Sequence, residues 1–166
     1  STQLEDLDND GLLDAATVFG PERQDLDAGI RLAQPDELWI QQSGGGFRAM
    51  AREWGLDDTG LGRSLALADL NQDGHLDWLI NPRQDSAKAW LSRCGDNSWL
   101  TVQLRDQSPN THGIGSRIEI EAGGQVFRRW LSAGSTGMAV SNSADVHFGL
   151  GQNPMIDRLT VTWPDG

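Results

Sequence analysis

Two nine-residue stretches hold the residues that could do chemistry. Asp6–Asp14 reads D-L-D-N-D-G-L-L-D, and Asp69–Asp77 reads D-L-N-Q-D-G-H-L-D. In both, oxygen-bearing side chains stand at positions 1, 3, 5 and 9, and glycine stands at position 6. Calcium, a hard cation, takes roughly six to eight oxygen ligands at about 2.3–2.6 Å. A short loop supplies them when alternate side chains turn inward. The side-chain donors would be Asp6, Asp8, Asp10 and Asp14 in the first copy, and Asp69, Asn71, Asp73 and Asp77 in the second. The backbone carbonyls of Leu12 and His75, at position 7, would add one oxygen each. Gly11 and Gly74 permit the sharp turn after position 5, because a residue without Cβ reaches positive φ freely. An EF-hand would carry glutamate at position 12. Thr17 and Ile80 stand there instead, within β-prone runs. One copy alone could be a surface Asx turn, but two copies at equivalent places predict two calcium sites. The first loop, with four carboxylates, is expected to bind more tightly than the second, with three and Asn71, because ligand charge helps set affinity.

The elements that must position these loops are short strands. The runs 14–19 and 37–41, with a further one opening at Phe47, follow the first loop; 64–68 leads into the second, and 78–80 and 87–91 follow it. The order loop, strand, polar link, tryptophan-bearing strand and turn therefore occurs twice, with Trp39 and Trp90 at matching places. Such an internal repeat points to propeller blades or a related array. The link over 20–36 is polar, contains Pro21 and Pro35, and reads as a loop. From Trp99 onward the texture becomes strict alternation, as in Leu100, Val102 and Leu104 or Leu159, Val161 and Trp163. Gly123-Gly124 reads as a two-residue hairpin turn, and about five strands of this kind predict a small sandwich or barrel. The fold class is all-β with little helix. Two repeats are expected over residues 1–96, the first about 1–63 and the second about 64–96, with a separate β domain over 97–166.

These blocks resemble a known combination. D-x-[DN]-x-D-G-x-x-D followed by a strand, with L-W-I-Q-Q-S-G-G-G-F at 38–47, resembles FG-GAP/VCBS repeats of the integrin-α propeller type. The pieces at 97–104, 113–120, 147–151 and 158–166 are similar to the ASPIC/UnbV domain. The pair together resembles the C-terminal end of the cartilage-acidic-protein family. The resemblance implies a β protein that is secreted, periplasmic or at the cell surface, with calcium in the repeat loops, a role in adhesion or interaction, and no established catalytic residues. A closed propeller of this type needs more blades than two, and the second domain stops at W-P-D-G, where relatives continue. Both features suggest a piece of a longer chain.

The remaining features narrow the function. The net charge of −11 and pI near 4.5 fit cation binding and argue against a nucleic-acid partner, which would call for clustered Lys and Arg. No 18-residue apolar run and no basic leader followed by an apolar stretch occurs, so neither membrane insertion nor a signal peptide is read here. The single cysteine, Cys94, permits no internal disulfide and reads as an incidental loop thiol. Gly113-Ile-Gly115 lacks the third glycine and the helix of a dinucleotide-binding loop, and reads as a structural turn. Ala133–Gly137 misses the G-x-S-x-G nucleophile elbow by one residue. Ser135, His147 and Asp157 have nothing in the sequence to fix them as a triad. The three histidines show no paired metal-ligand spacing. Trp39, Trp78, Trp90 and Trp163 read as core residues, whereas Trp54 and Trp130 are less determined; exposed, they could stack on sugar rings. The expected function is a calcium-stabilised, non-enzymatic extracellular interaction module, with an extracellular protein or glycan as partner. The alternative is an accessory, carbohydrate-binding domain of a larger secreted enzyme. Exposed sheet edges would pair with the C-terminal part or with a second copy.

Overall fold

The repeat appears in the backbone pairing of the computed structural model, which describes residues 1–20, 34–83, 85–93, 95–134 and 141–165. Most of the 20–36 link, Cys94 and Ser135 lie outside the described residues. In the first blade, β1 (Thr2–Glu5), β2 (Asp14–Thr17), β3 (Glu37–Gln41) and β4 (Phe47–Ala49) form an antiparallel sheet in chain order. In the second, β5 (Gly62–Ala68), β6 (Asp77–Pro82) and β7 (Lys88–Trp90) do the same. Each acidic loop therefore connects the first two strands of its blade. The sequence reading lacked β1, whose four residues are too few to display alternation. Among the described residues every element is a strand and no barrel closes.

The registers superpose the blades residue by residue. Leu4 pairs with Ala15 and Ala15 with Trp39 in the first; Leu67 pairs with Trp78 and Trp78 with Trp90 in the second. Trp39 and Trp90 are thus equivalent, as the sequence repeat implied. The face of the first blade that carries Ala16, Leu38 and Ile40 packs against Leu65, Leu67, Trp78 and Ile80 of the second, forming one buried cluster. By register, Leu65, Leu67, Trp78 and Ile80 match Thr2, Leu4, Ala15 and Thr17, which lie on the opposite face of the first blade. The blades consequently stack in the same sense, inner face to outer face, as successive propeller blades do. This stacking corrects the expectation for Trp39. It is 38% exposed, with its indole N–H donated to Glu37 (3.0 Å), because among the described residues no blade covers its face. Its equivalent Trp90 is half-buried because the first blade does cover it. Trp78 lies in the core, and Trp54 packs against the same core.

The C-terminal strands are β8 (Ser98–Gln103), β9 (Arg117–Ala122), β10 (Gln125–Trp130), β11 (Asp145–Gly151) and β12 (Arg158–Thr162). They form one sheet in the order β10-β9-β12 and a pair β11-β8, all antiparallel. Alternation explains their packing. Ile118, Ile120, Phe127, Val146 and Phe148 form a second core, with Val161 and Trp163 partly buried against it. Gly123 and Gly124 have φ of 56° and 76°, as a type I′ hairpin requires at both central residues. The Gly113–Gly115 turn is clasped by Asn110, whose amide donates to the Ile114 carbonyl and whose Oδ1 accepts from the Ile114 N–H, both at 2.9 Å.

Candidate metal centre

Both loops are built by the same local hydrogen bonds. The position-1 carboxylate accepts from the position-6 glycine: Gly11 N–H to Asp6 and Gly74 N–H to Asp69, each 2.8 Å. The position-5 carboxylate accepts from position 7: Leu12 N–H to Asp10 (2.8 Å) and His75 N–H to Asp73 (3.0 Å). Position 9 ties the loop to its blade with both oxygens. Asp14 accepts from Leu7 and Gln41, both at 2.8 Å, and Asp77 accepts from Leu70 (2.9 Å) and Ser92 (2.8 Å). Positive φ occurs at two positions of each loop: 60° at Asn9 and 96° at Gly11, then 62° at Gln72 and 85° at Gly74. The glycines are legible in the sequence. Position 4 is not, although Asn is among the residues that tolerate the left-handed region.

The two loops then diverge. Carboxylate oxygens of Asp6, Asp8 and Asp14 lie within 4.8 Å of one another, the separation that a shared ion needs. Asp10 is turned to the Leu12 N–H and is outside that group. Asp6 is fully buried, and its Oδ1 has no hydrogen-bond partner. A buried carboxylate oxygen without a partner is costly, and a cation in the loop would satisfy it. The donor set, all oxygen, suits calcium. In the second loop, Asp73 is exposed, the Asn71 amide donates to Asp73 (2.7 Å), and Asp69 accepts from the loop's own Asp73 and Gly74. Among the described residues, the second-loop carboxylates form no comparable group. The His75 ring, for which the sequence suggested no role, is buried with its Nδ1 3.4 Å from the Asn9 amide nitrogen.

The electrostatics follow the burial. Desolvation pushes Asp6 up to about 7, opposed by the Arg129 guanidinium and reinforced by Asp10 and Asp14. Burial raises Asp14 to about 6 against the pull of its two backbone donors, and raises Asp8 as well. Glu5, next to the loop, is pushed up to about 7 by burial, with Arg129 opposing. Asp73 is held below the ordinary carboxylate range, chiefly by the His75 N–H. The first loop is therefore a site of concentrated, desolvated negative charge, whereas the second holds Asn71 and Asp73 in solvent and buries Asp77.

One contact reaches the loops from β11. Asn9 donates to the Gly74 carbonyl (2.9 Å) and accepts from the His147 Nε2–H (2.6 Å), so one buried side chain joins both loops to β11. Burial lowers His147 to about 4, which keeps it neutral. The Nε2 of His147 is thereby committed to Asn9. Nothing local in H-F-G-L-G signalled this contact.

The architecture defines an all-β protein of two stacked, acidic-loop-bearing blades joined to a second antiparallel β unit. Residues 6–80 match the FG-GAP-like repeat family, and residues 106–166 match the ASPIC and UnbV family. The chain is an FG-GAP-like repeat region followed by an ASPIC/UnbV region. No curated protein matches it. Among the described residues no helix is long and apolar enough to cross a membrane.

Proposed function

We propose that this chain is a calcium-binding, non-enzymatic interaction module that acts outside the cytoplasm, as a secreted, periplasmic or surface protein. The observation that carries the reading is the buried, unpartnered Oδ1 of Asp6 within the Asp6, Asp8 and Asp14 group. A bound calcium ion would supply a divalent charge and partners for otherwise unsatisfied oxygens. Asp6, Asp8 and Asp14 would hold it, with Asp10 and the Leu12 carbonyl closing the loop. The second site would use Asp69, Asn71, Asp73, the His75 carbonyl and Asp77. The first site is the tighter of the two, since its carboxylates already converge. Domain limits of 1–96 and 97–166 accord with the two separate cores. The exposed face bearing Leu4 and Trp39 is the docking place for a further blade or a second copy, since its equivalent on the second blade is buried. Isothermal titration tests the metal reading. Two binding events are expected. Asp8→Ala should remove the tighter one and Asp73→Ala the weaker, and heat-silent titrations of the unsubstituted protein would refute the proposal.

The alternative, a glycan-binding accessory module, is favoured by a cavity of about 1130 Å³ between the blades and the C-terminal unit. One wall is the polar face of β8 and β11, where Trp99, Thr101, Gln103, Asp145 and His147 share one side by register. Trp130, 64% exposed, also lines the cavity. An amphipathic indole beside hydroxyl, amide and carboxylate groups suits a neutral sugar. On a glycan array, selective binding that Trp130→Ala lowers at least about tenfold would favour this reading. A protein partner captured only in calcium would favour the first.

A further inference from the structure

The C-terminal unit grips the first loop and largely ignores the second. The Gly149 N–H donates to Asp6 Oδ2 (3.1 Å), the Gly151 N–H to the Asn9 carbonyl (2.8 Å), and the Asn97 amide to the Asp8 carbonyl (2.8 Å). The Arg129 guanidinium lies 3.7 Å from Asp6 Oδ2 and is held over the Phe148 ring at 5.5 Å. A β-bulge between Gly149 and Gly151 re-aims this part of β11 towards the loop. The approach is so close that a Cβ on Gly149 would overlap Asp6 Oδ2 and the Asn9 backbone. On the second loop, Trp99 packs against Gly74, while Asp69 and Asp73, among the described residues, accept hydrogen bonds only from that loop's own donors.

This contact divides the two oxygens of Asp6. Oδ2 is taken by Gly11, Gly149 and Arg129, whereas Oδ1 is sealed from water without a partner. Docking therefore desolvates a carboxylate that it only half satisfies. The energetic conflict is relieved when a cation meets Oδ1, and is avoided if the C-terminal unit withdraws and water returns.

We infer that the first-loop cation site is composite: the β11 segment His147–Gly151 completes it, and cation binding and docking of the C-terminal unit favour one another. Gly149 is a positioning residue, and it acts through Asp6. The inference rests on the calcium reading above. Linkage requires the coupling to be reciprocal, typically about 5- to 150-fold.

The test uses Asp73→Ala as background, so that calcium binds the first loop alone. Adding Gly149→Ala should weaken its calcium affinity by about tenfold. Gly149 is the better probe, since removing Arg129 would also change the field at the ion. Hydrogen exchange on the unsubstituted protein needs no folded variant. Calcium should slow exchange of the Gly149 and Gly151 amides about tenfold relative to EDTA, leave Arg117–Ala122 unchanged, and have no such effect in Asp8→Ala. Calcium affinity untouched by Gly149→Ala, or equal exchange of these amides with and without calcium, overturns the composite site while leaving calcium binding intact. Absence of calcium binding in the Asp73→Ala protein overturns both readings.

Discussion

Asp77→Ala is expected to destabilise the metal-free protein by about 3–5 kcal/mol. Asp77 is fully buried, and its two oxygens accept from the Leu70 and Ser92 N–H groups, which no alanine can satisfy. A hydrogen bond to a charged group is worth about 1.5–3 kcal/mol, and a stranded donor adds its desolvation cost. In a chain of this size each kcal/mol moves the melting temperature by about 2–4 °C, so a drop of about 6–20 °C should be seen in EDTA. Asp77→Asn should lose about half as much, because one oxygen still accepts while the new amide faces a second donor. Asp73→Ala, on the exposed side of the same loop, should cost under about 1 kcal/mol. An Asp77→Ala protein that melts within 2 °C of the parent would contradict the assignment of position 9 as the tie between loop and blade.

Chelation is expected to have the next largest effect, and one that depends on pH. Calcium at 100 times its Kd adds about 2.7 kcal/mol, or about 5–10 °C in melting temperature. Without metal, Glu5, Asp6, Asp14 and Asp36 all titrate above their ordinary values, at about 7, 7, 6 and 6, because burial penalises their charge. The folded protein then retains protons that the unfolded chain has released, so metal-free stability falls as pH rises from about 4 to 7. His147 opposes this trend. Lowered to about 4, it makes stability rise with pH up to its unfolded value of 6.5. Four carboxylates outweigh one imidazole, and the metal-free melting temperature should decline between pH 5 and 7.5. Calcium needs the ionised carboxylates of the first loop, so the calcium-induced gain should be small at pH 5 and reach its full size near pH 7.5. Melting curves with calcium and with EDTA at both pH values check this. A gain as large at pH 5 as at pH 7.5 would remove the buried carboxylates from the metal site.

The resemblance to FG-GAP-like repeats followed by an ASPIC/UnbV region and the all-β class both hold, and for a physical reason. D-x-[DN]-x-D-G-x-x-D builds its turn from bonds spanning only two to seven residues, such as Leu12 to Asp10 and Leu7 to Asp14. Contacts that short form wherever the residue types and the glycine permit. Alternation in Ile118–Glu121 and in Leu100–Leu104 likewise needs only the two-residue period of a strand to separate a core face from a solvent face. The sequence was silent where a residue's environment depends on what the fold places opposite it. Trp39 and Trp90 occupy the same register position, yet among the described residues only Trp90 has a blade stacked against it. Asn9 and Gln72 share a backbone conformation, yet only Asn9 is reached by His147.

By itself, then, the sequence determined two equivalent acidic loops running into strands, since the bonds that set each turn and tie it at position 9 lie within the loop or its own blade. Tertiary structure alone decided which loop became a buried, half-satisfied carboxylate centre. That choice rests on β10 and β11 closing over Asp6, through contacts from Arg129 and Gly149 that are more than a hundred residues distant in the chain and have no local signature.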